Sequence, residues 1–214
     1  MKGLGTRPKN TADMKKQIII IHGGDAFNTY EEYLAFLKKY ELNFEKIKTK
    51  GWKDTLGEKL GKDFEVILPK MPNSMNARYK EWKIMFNKFL PFFKNNLVLV
   101  GHSLGGIFLA KYLSENKLPK KILATFLVAA PYRDKDSKDS LGDFILPKNL
   151  DKFQEQGGRV FICHSQDDPF IPFADFEKYQ HALPQAKIMM FKNRKHFNQA
   201  EFPELVGNIK KLYS

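Results

Sequence analysis

The sequence predicts a three-layer α/β fold with a doubly wound, mostly parallel sheet. Short β-rich segments alternate with longer amphipathic segments along the chain, an order typical of β-α-β units. Segments such as residues 18–21 and 97–100 are apolar at every position, as expected for strands that helices cover on both faces. These two observations indicate a buried parallel sheet.

The predicted elements follow one another with few gaps. The predicted strands are residues 17–21, 64–68, 97–100, 122–129, 159–163 and 187–191. The predicted helices, which have apolar residues at about helical spacing, are residues 30–40, 52–60, 77–89, 103–116, 174–182 and 204–212.

Three segments do not fit the alternation. Residues 1–16 mix Gly, Pro, Lys, Asn and Thr without periodicity and are predicted to form a flexible N-terminal tail. Residues 41–50 and 132–150 are predicted to be surface loops or small caps over a site, and the possible cap elements span 28–50 and 132–150. Residues 17–214 then form a single domain, which agrees with a chain of 214 residues.

The formal net charge of +12 suggests nucleic-acid binding as one hypothesis. Only five of the 36 Lys and Arg residues are Arg, however, and the lysines are dispersed along the chain. Arg is the residue suited to bidentate recognition of phosphates and bases, and no nucleic-acid-binding motif accompanies these charges. We therefore favour a solvated basic surface over specific nucleic-acid binding.

Cysteine content and hydropathy indicate the cellular compartment. The single cysteine, Cys163, cannot form an internal disulfide and lies in an apolar strand, so we expect it to be a buried packing residue. No apolar segment is long enough to cross a bilayer, and no secretory signal pattern is present. We expect a soluble, cytoplasmic protein that does not bind a membrane.

The clearest motif is the sequence Gly101-His102-Ser103-Leu104-Gly105, between an apolar strand and a helix. Its glycines remove side chains that would clash where strand and helix cross in a sharp turn, so that the Ser103 hydroxyl is exposed. Gly-x-Ser-x-Gly alone occurs by chance in roughly one chain in fifteen of this length. With its flanking strand and helix, the motif predicts a serine nucleophile; the alternative is that Ser103 is an ordinary helix N-cap.

A serine nucleophile also needs a base and an acid, which in this arrangement follow in the order Ser, acid, His. Asp167 and Asp168 follow the strand at 159–163, and we favour Asp168 as the acid, with Asp167 as the alternative. His196 follows the strand at 187–191 and is the candidate base. Taken singly, Asp168 could stabilise a turn and His196 could be an ordinary loop residue.

The oxyanion hole is predicted from backbone amides. Leu104 follows the serine, and the Gly-rich loop after the first strand offers Gly24, with Gly23 as the alternative. Three further histidines flank strand ends: His22, His102 and His164. Because they show no metal-ligand spacing, we interpret them as hydrogen-bonding scaffold and expect no metal.

These residues resemble the α/β-hydrolases, and among them the small serine hydrolases of the retinoblastoma-binding protein nine family. The resemblance covers most of residues 17–212 and is most specific at residues 101–103, at residues 167–172 and at His196-Phe197. It implies that the second aspartate of the pair, Asp168, is the triad acid. It also implies a compact α/β-hydrolase fold.

The sequence departs from the family pattern at two places. Lys195 stands where such families usually have Gly before the histidine, and residues 28–48 resemble an insertion. The aromatic residues of this region are interpreted as plain core or, alternatively, as the lining of an acyl or aromatic pocket. They are Phe27, Tyr30, Tyr33, Phe36 and Tyr40.

Together these residues predict a serine hydrolase that acts on small esters or activated amides. Ser103 attacks the carbonyl, His196 takes its proton and Asp168 orients the imidazole; water then hydrolyses the acyl-enzyme without a metal or organic cofactor. Alternatives are a non-catalytic interaction protein on a hydrolase scaffold, a nucleic-acid-associated protein, and an acyltransferase or peptidase with the same triad. The expected partner is a small-molecule acyl substrate.

Overall fold

The computed structural model describes residues 15–137 and 141–214. The described part contains a six-stranded sheet in which all neighbouring strands are parallel. Its strands are β1 (Lys16–Ile21), β2 (Phe64–Ile67), β3 (Leu97–His102), β4 (Ile122–Val128), β5 (Arg159–Ser165) and β6 (Lys187–Phe191). All six predicted strands are confirmed, with ends that differ by no more than two residues.

The strand order across the sheet is β2-β1-β3-β4-β5-β6. Ile18 of β1 pairs with Val66 of β2 on one side and with Val98 of β3 on the other, so the chain reverses its direction across the sheet after β2. In open α/β sheets, ligands bind at such a reversal, outside the carboxyl ends of the strands. The loops that follow β1 and β3 therefore open at the same edge.

The helices agree with the prediction except for two short ones. They are α1 (Tyr30–Lys39), α2 (Phe44–Lys48), α3 (Trp52–Leu60), α4 (Tyr79–Phe89), α5 (Leu104–Glu115), α6 (Asp151–Gln156), α7 (Phe173–Ala182) and α8 (Pro203–Leu212). Helices α2 and α6 were not predicted, because five or six residues are too few to show a hydrophobic period.

Helix α4 begins at Tyr79, two residues later than predicted. Oδ1 of Asp143 accepts a hydrogen bond from the Tyr79 amide at 2.7 Å, and Oδ2 accepts one from the Lys80 amide at 3.3 Å. A carboxylate at a helix N-terminus satisfies its unpaired amides and interacts favourably with the helix dipole. Because this cap comes from a distant part of the chain, local sequence does not reveal where the helix starts.

Both faces of the sheet are buried, as the apolar strands predicted. Ile19 and Ile21 of β1 belong to the core that includes residues of α4 and α5, whereas Ile18 and Ile20 belong to the core with α3 and α8. None of these four side chains is exposed to solvent. The sheet is therefore the middle of three layers, which confirms the predicted fold class.

The segments outside the alternation are only partly described. Lys16 is the first residue of β1, not part of a tail, and residues 1–14 lie outside the described residues. Residues 28–50 contain α1 and α2, and α1 buries none of its residues. Residues 132–137 and 141–150 contain neither helix nor strand, and residues 138–140 are outside the description. No helix in the described ranges combines the length and apolar character that a bilayer crossing requires.

Candidate active site

Ser103 occupies a sharp turn between β3 and α5. Its backbone angles are φ 54° and ψ −123°, a strained conformation for a residue with a side chain. The turn is held by a hydrogen bond from the Ser103 amide to the Val128 carbonyl at 2.8 Å. Although Ser103 is at the N-cap position of α5, its side chain makes no capping hydrogen bond. The ordinary N-cap interpretation is therefore wrong.

The turn requires glycine because α5 passes very close to β1 and β3. A Cβ atom on Gly105 would lie 2.2 Å from the Ile21 carbonyl oxygen and 2.6 Å from that of His22. A Cβ atom on Gly101 would lie 2.5 Å from the Gly105 carbonyl oxygen. These distances are far below van der Waals contact, which confirms the predicted reason for the glycines.

We expect Gly105→Ala to destabilise the fold by about 3 kcal/mol or more, because its Cβ would collide with rigid backbone. Gly207→Ala in α8 is the matched control, since a Cβ there would meet no atom within 4 Å. That change is expected to add about 0.5–1 kcal/mol of stability through helix propensity. Urea unfolding of both variants measures the difference; equal stabilities would contradict the close approach at Gly105.

The structure places His196 against Asp168. Nδ1 of His196 lies 3.0 Å from Oδ2 and 3.1 Å from Oδ1 of Asp168, whose side chain is fully buried. The amides of Phe170 and Ile171 also donate to Oδ1, at 2.9 and 3.1 Å. Burial alone would raise the pKa of Asp168, but the hydrogen bonds from His196 and the two amides together hold it below its usual value. Asp168 is thus a buried carboxylate that accepts a hydrogen bond from the imidazole.

Asp167, the alternative acid, contacts the backbone of the histidine loop instead of the ring. Its Oδ1 accepts hydrogen bonds from Ser165 Oγ at 2.5 Å and from the Lys195 amide at 2.8 Å. Lys195 has φ 47°, in the left-handed region that favours glycine, which explains the glycine of the family pattern. The bond from Asp167 holds this strained residue in place, so the loop presents His196 to Asp168 despite the lysine.

The predicted oxyanion residues lie beside Ser103. Gly24 and Leu104 both line the same cavity as Ser103, and neither backbone N–H has an acceptor within the described residues. A Cβ atom on Gly24 would lie 2.4 Å from the Ser74 carbonyl oxygen, and one on Gly23 would lie 3.1 Å from Ser103 Cβ. The loop after β1 therefore packs tightly against the serine, and two residues of the cavity wall have a backbone N–H group without an acceptor among the described residues.

This cavity has a volume of about 500 Å³ and contains Ser103 and His196 in its wall. No hydrogen bond joins these two side chains in the described part of the chain, which is common for such pairs without substrate. Four polar wall residues were missed from the sequence: Asp25, Lys53, Arg133 and Asn198. Apolar wall residues include Leu141, Phe170 and Ile171. The segment at 132–150 thus contributes to the cavity through Arg133 and Leu141.

The aromatic residues of the insertion do not border this cavity. Phe27 instead packs against Tyr33 and Phe36, with ring centroids 5.7 and 5.1 Å apart. Tyr30 and Tyr40 are exposed, and α1 has no buried residue. Both interpretations of these aromatics, as plain core and as lining of the pocket at Ser103, are wrong, because they form a surface cluster of their own.

A comparison with known families agrees with this geometry. The family model for serine hydrolases matches residues 44–205, a range that includes Ser103, Asp168 and His196. The chain belongs to the serine hydrolase family. The family match covers well over half of the chain. It includes the turn at Ser103 and the loops that follow β5 and β6.

Individual relatives of this serine hydrolase support the same fold. The rat serine hydrolase RBBP9 is 27% identical over 157 residues, which are 70% of this chain and 78% of the rat protein. YdeN of Bacillus subtilis (strain 168) is 24% identical over 162 residues, 75% of each chain. The crystal structure of the ydeN gene product has a TM-score of 0.68 at 18% identity, over 93% of this chain and 99% of the other. The thioesterase domain from the curacin biosynthetic pathway has a TM-score of 0.56 at 13% identity, over 92% of each.

His22 is a scaffold residue of the hydrolase, as predicted. Its Nδ1 lies 2.6 Å from the Gly23 carbonyl oxygen, and its Nε2 is 2.9 Å from the Met71 amide. Because the amide can only donate, Nδ1 is the protonated nitrogen. Burial lowers the pKa of His22 and so favours this neutral form. Within the described ranges, no three His, Cys, Asp or Glu side chains converge as metal ligands do.

His102 connects the histidine loop to Lys53. Nε2 of buried His102 lies 2.8 Å from the His196 carbonyl oxygen, and Nδ1 lies 3.2 Å from Lys53 Nζ. Because an ammonium group only donates, Nδ1 accepts from Lys53 and Nε2–H donates to the carbonyl. Burial, and then the charge of Lys53, lower the pKa of His102 well below its usual range. Lys53 thus supports the backbone of the His196 loop, a role with no local signal in the sequence.

Proposed function

We propose that this serine hydrolase cleaves small esters or activated amides with Ser103 as nucleophile, His196 as general base and Asp168 as the orienting acid. One observation carries the proposal. His196, whose Nδ1 lies 3.0 Å from Oδ2 of the buried Asp168, shares a cavity with a serine held in a strained turn that ends at a helix N-terminus.

The arrangement supports a reaction in two steps, acylation of Ser103 and hydrolysis of the acyl-enzyme. Ser103 Oγ attacks the carbonyl carbon while His196 Nε2 takes the hydroxyl proton, because Nδ1 is engaged by Asp168. The Leu104 and Gly24 amides donate to the developing oxyanion, and His196 then gives its proton to the leaving group. Water, activated by the same Nε2, next hydrolyses the acyl-Ser103 ester and restores the serine.

The dimensions and surface of the cavity support small acyl substrates. A volume of about 500 Å³ is within the usual range for small-molecule sites, and Leu141, Phe170 and Ile171 supply apolar wall on which an acyl chain can pack. This apolar wall is consistent with carboxylesterase-like activity. The structural similarity to a thioesterase domain is consistent with a substrate that carries an activated acyl group.

The test is to label the purified protein with a fluorophosphonate probe, which reacts with activated serines, and to find the labelled peptide by tandem mass spectrometry. We expect a single adduct on Ser103. The only cysteine is buried, and so does not compete for the probe. A folded protein that stays unlabelled, or that is labelled only on other serines, would overturn the proposal.

A further inference from the structure

The wall of the cavity contains a cation that has no ion-pair partner among the described residues. Lys53 Nζ makes one hydrogen bond, to neutral His102, and no carboxylate lies within ion-pair distance of it in the described part of the chain. The carboxylate of the next residue, Asp54, is used to cap α3, where its Oδ2 accepts from the Gly51 amide at 2.9 Å. An ammonium group carries three N–H donors, so two donors of Lys53 have no acceptor in the part of the chain that the structure describes.

The position of Lys53 is also electrostatically unfavourable. The residue is in the first turn of α3, where the helix dipole disfavours a positive charge. Burial lowers the pKa of Lys53, which shows the cost of holding the charge there. A partly buried cation without a counter-ion opposes folding stability, and such groups are concentrated at functional sites.

The second cation of the wall differs from Lys53. Arg133 pairs with Asp175, whose side chain is almost fully buried, and it also donates to the Tyr132 carbonyl. Its charge is therefore already neutralised inside the protein. Asp25, also in the wall, is exposed and adds a negative charge. Lys53 and Asp25 are thus the two charged wall residues that have no ion-pair partner among the described residues, and the single positive charge of Lys53 suits a monoanion such as a carboxylate better than a phosphate dianion.

We propose that Lys53 is a specificity residue that binds a carboxylate group of the substrate whose ester or amide carbonyl Ser103 attacks. The inference rests on the proposed hydrolase function and adds the substrate class to it. Its physical basis is that a substrate carboxylate accepts the two unused N–H bonds of Lys53 and supplies the missing counter-charge. Asp25 is expected to oppose the same substrate by repulsion.

The experiment compares charged and neutral esters that are otherwise matched. In one arm, the 4-nitrophenyl monoester of adipic acid is compared with its methyl-capped diester, so that the carboxylate is on the acyl side. In the other arm, 4-acetoxybenzoic acid is compared with its methyl ester, so that the carboxylate is on the leaving group. The kcat/KM ratio of the charged to the neutral ester is measured for the wild type, Lys53→Met, Lys53→Arg, Asp25→Asn and the exposed-surface control Lys62→Met.

We expect Lys53→Met to lower the ratio about 10- to 100-fold in one of the two arms, mainly through KM. Lys53→Arg, which keeps the charge, should restore part of the preference. Asp25→Asn should raise the ratio, and Lys62→Met should leave it unchanged. The arm that responds identifies the side of the scissile bond that carries the carboxylate.

The ratio also separates this role from support of the His196 loop. If Lys53→Met slows the charged and neutral esters equally in both arms, Lys53 only positions the loop through His102 and the inference is overturned, while the hydrolase function stands. If the wild type hydrolyses neither ester and takes no fluorophosphonate, the function and the inference fail together.

Discussion

Ser103→Ala is expected to lower kcat for ester hydrolysis by about 10⁶-fold, a loss typical of removing the nucleophile of a Ser-His-Asp constellation. The reason is that the acyl-enzyme can no longer form, while the amides of Leu104 and Gly24 still bind the carbonyl oxygen. A small residual rate over uncatalysed hydrolysis should therefore remain. The rate is measured with 4-nitrophenyl butyrate at saturating concentration.

The matched control is Ser114→Ala, the same change within α5, the helix that follows Ser103. Ser114 Oγ donates to the Ala110 carbonyl at 2.7 Å and does not border the cavity. We expect this variant to retain the wild-type kcat. Circular dichroism of both variants verifies that the fold is intact. A folded Ser103→Ala protein with more than about a tenth of the wild-type rate would exclude the assigned nucleophile.

Asp168→Asn is expected to lower kcat by about 10⁴-fold. The carboxylate of Asp168 accepts from His196 Nδ1, and this bond keeps Nε2 unprotonated and able to take the serine proton. An asparagine amide can donate to Nδ1 instead, which places the proton on Nε2 and blocks the base. Stopped-flow or steady-state ester hydrolysis over neutral pH measures the loss.

Asp167→Asn is the adjacent control with the same chemical change. Asp167 holds the Lys195 amide and Ser165 Oγ and does not contact the imidazole, so it affects the base only through the position of the loop. Misplacement of this kind costs about 10- to 100-fold. If Asp167→Asn instead proved the more damaging change, the assignment of the acid would have to move to Asp167.

Local sequence was sufficient for the parts of the fold that depend on continuous apolar segments. The strands could be predicted because each is a short run of apolar residues. Ser103, Asp168 and His196 could be predicted because each follows such a strand, and the carboxyl ends of parallel strands lie at the same edge of the sheet. Lys53 was missed because a lysine in an amphipathic helix looks like any surface residue. The start of α4 was missed for a related reason: its cap, Asp143, is brought to it only by tertiary structure.

The order of strands also has a consequence for how activity arises during folding. In the chain β2 lies between β1 and β3, but in the sheet it pairs with the other side of β1, so Ile18 pairs with Val98 across a long stretch of chain. The loops with Asp168 and His196 follow β5 and β6, at the far edge of the sheet. Sheets made of such non-local parallel pairs assemble slowly. A folding intermediate that lacks β5 and β6 would lack two residues of the proposed triad, and we expect it to be inactive.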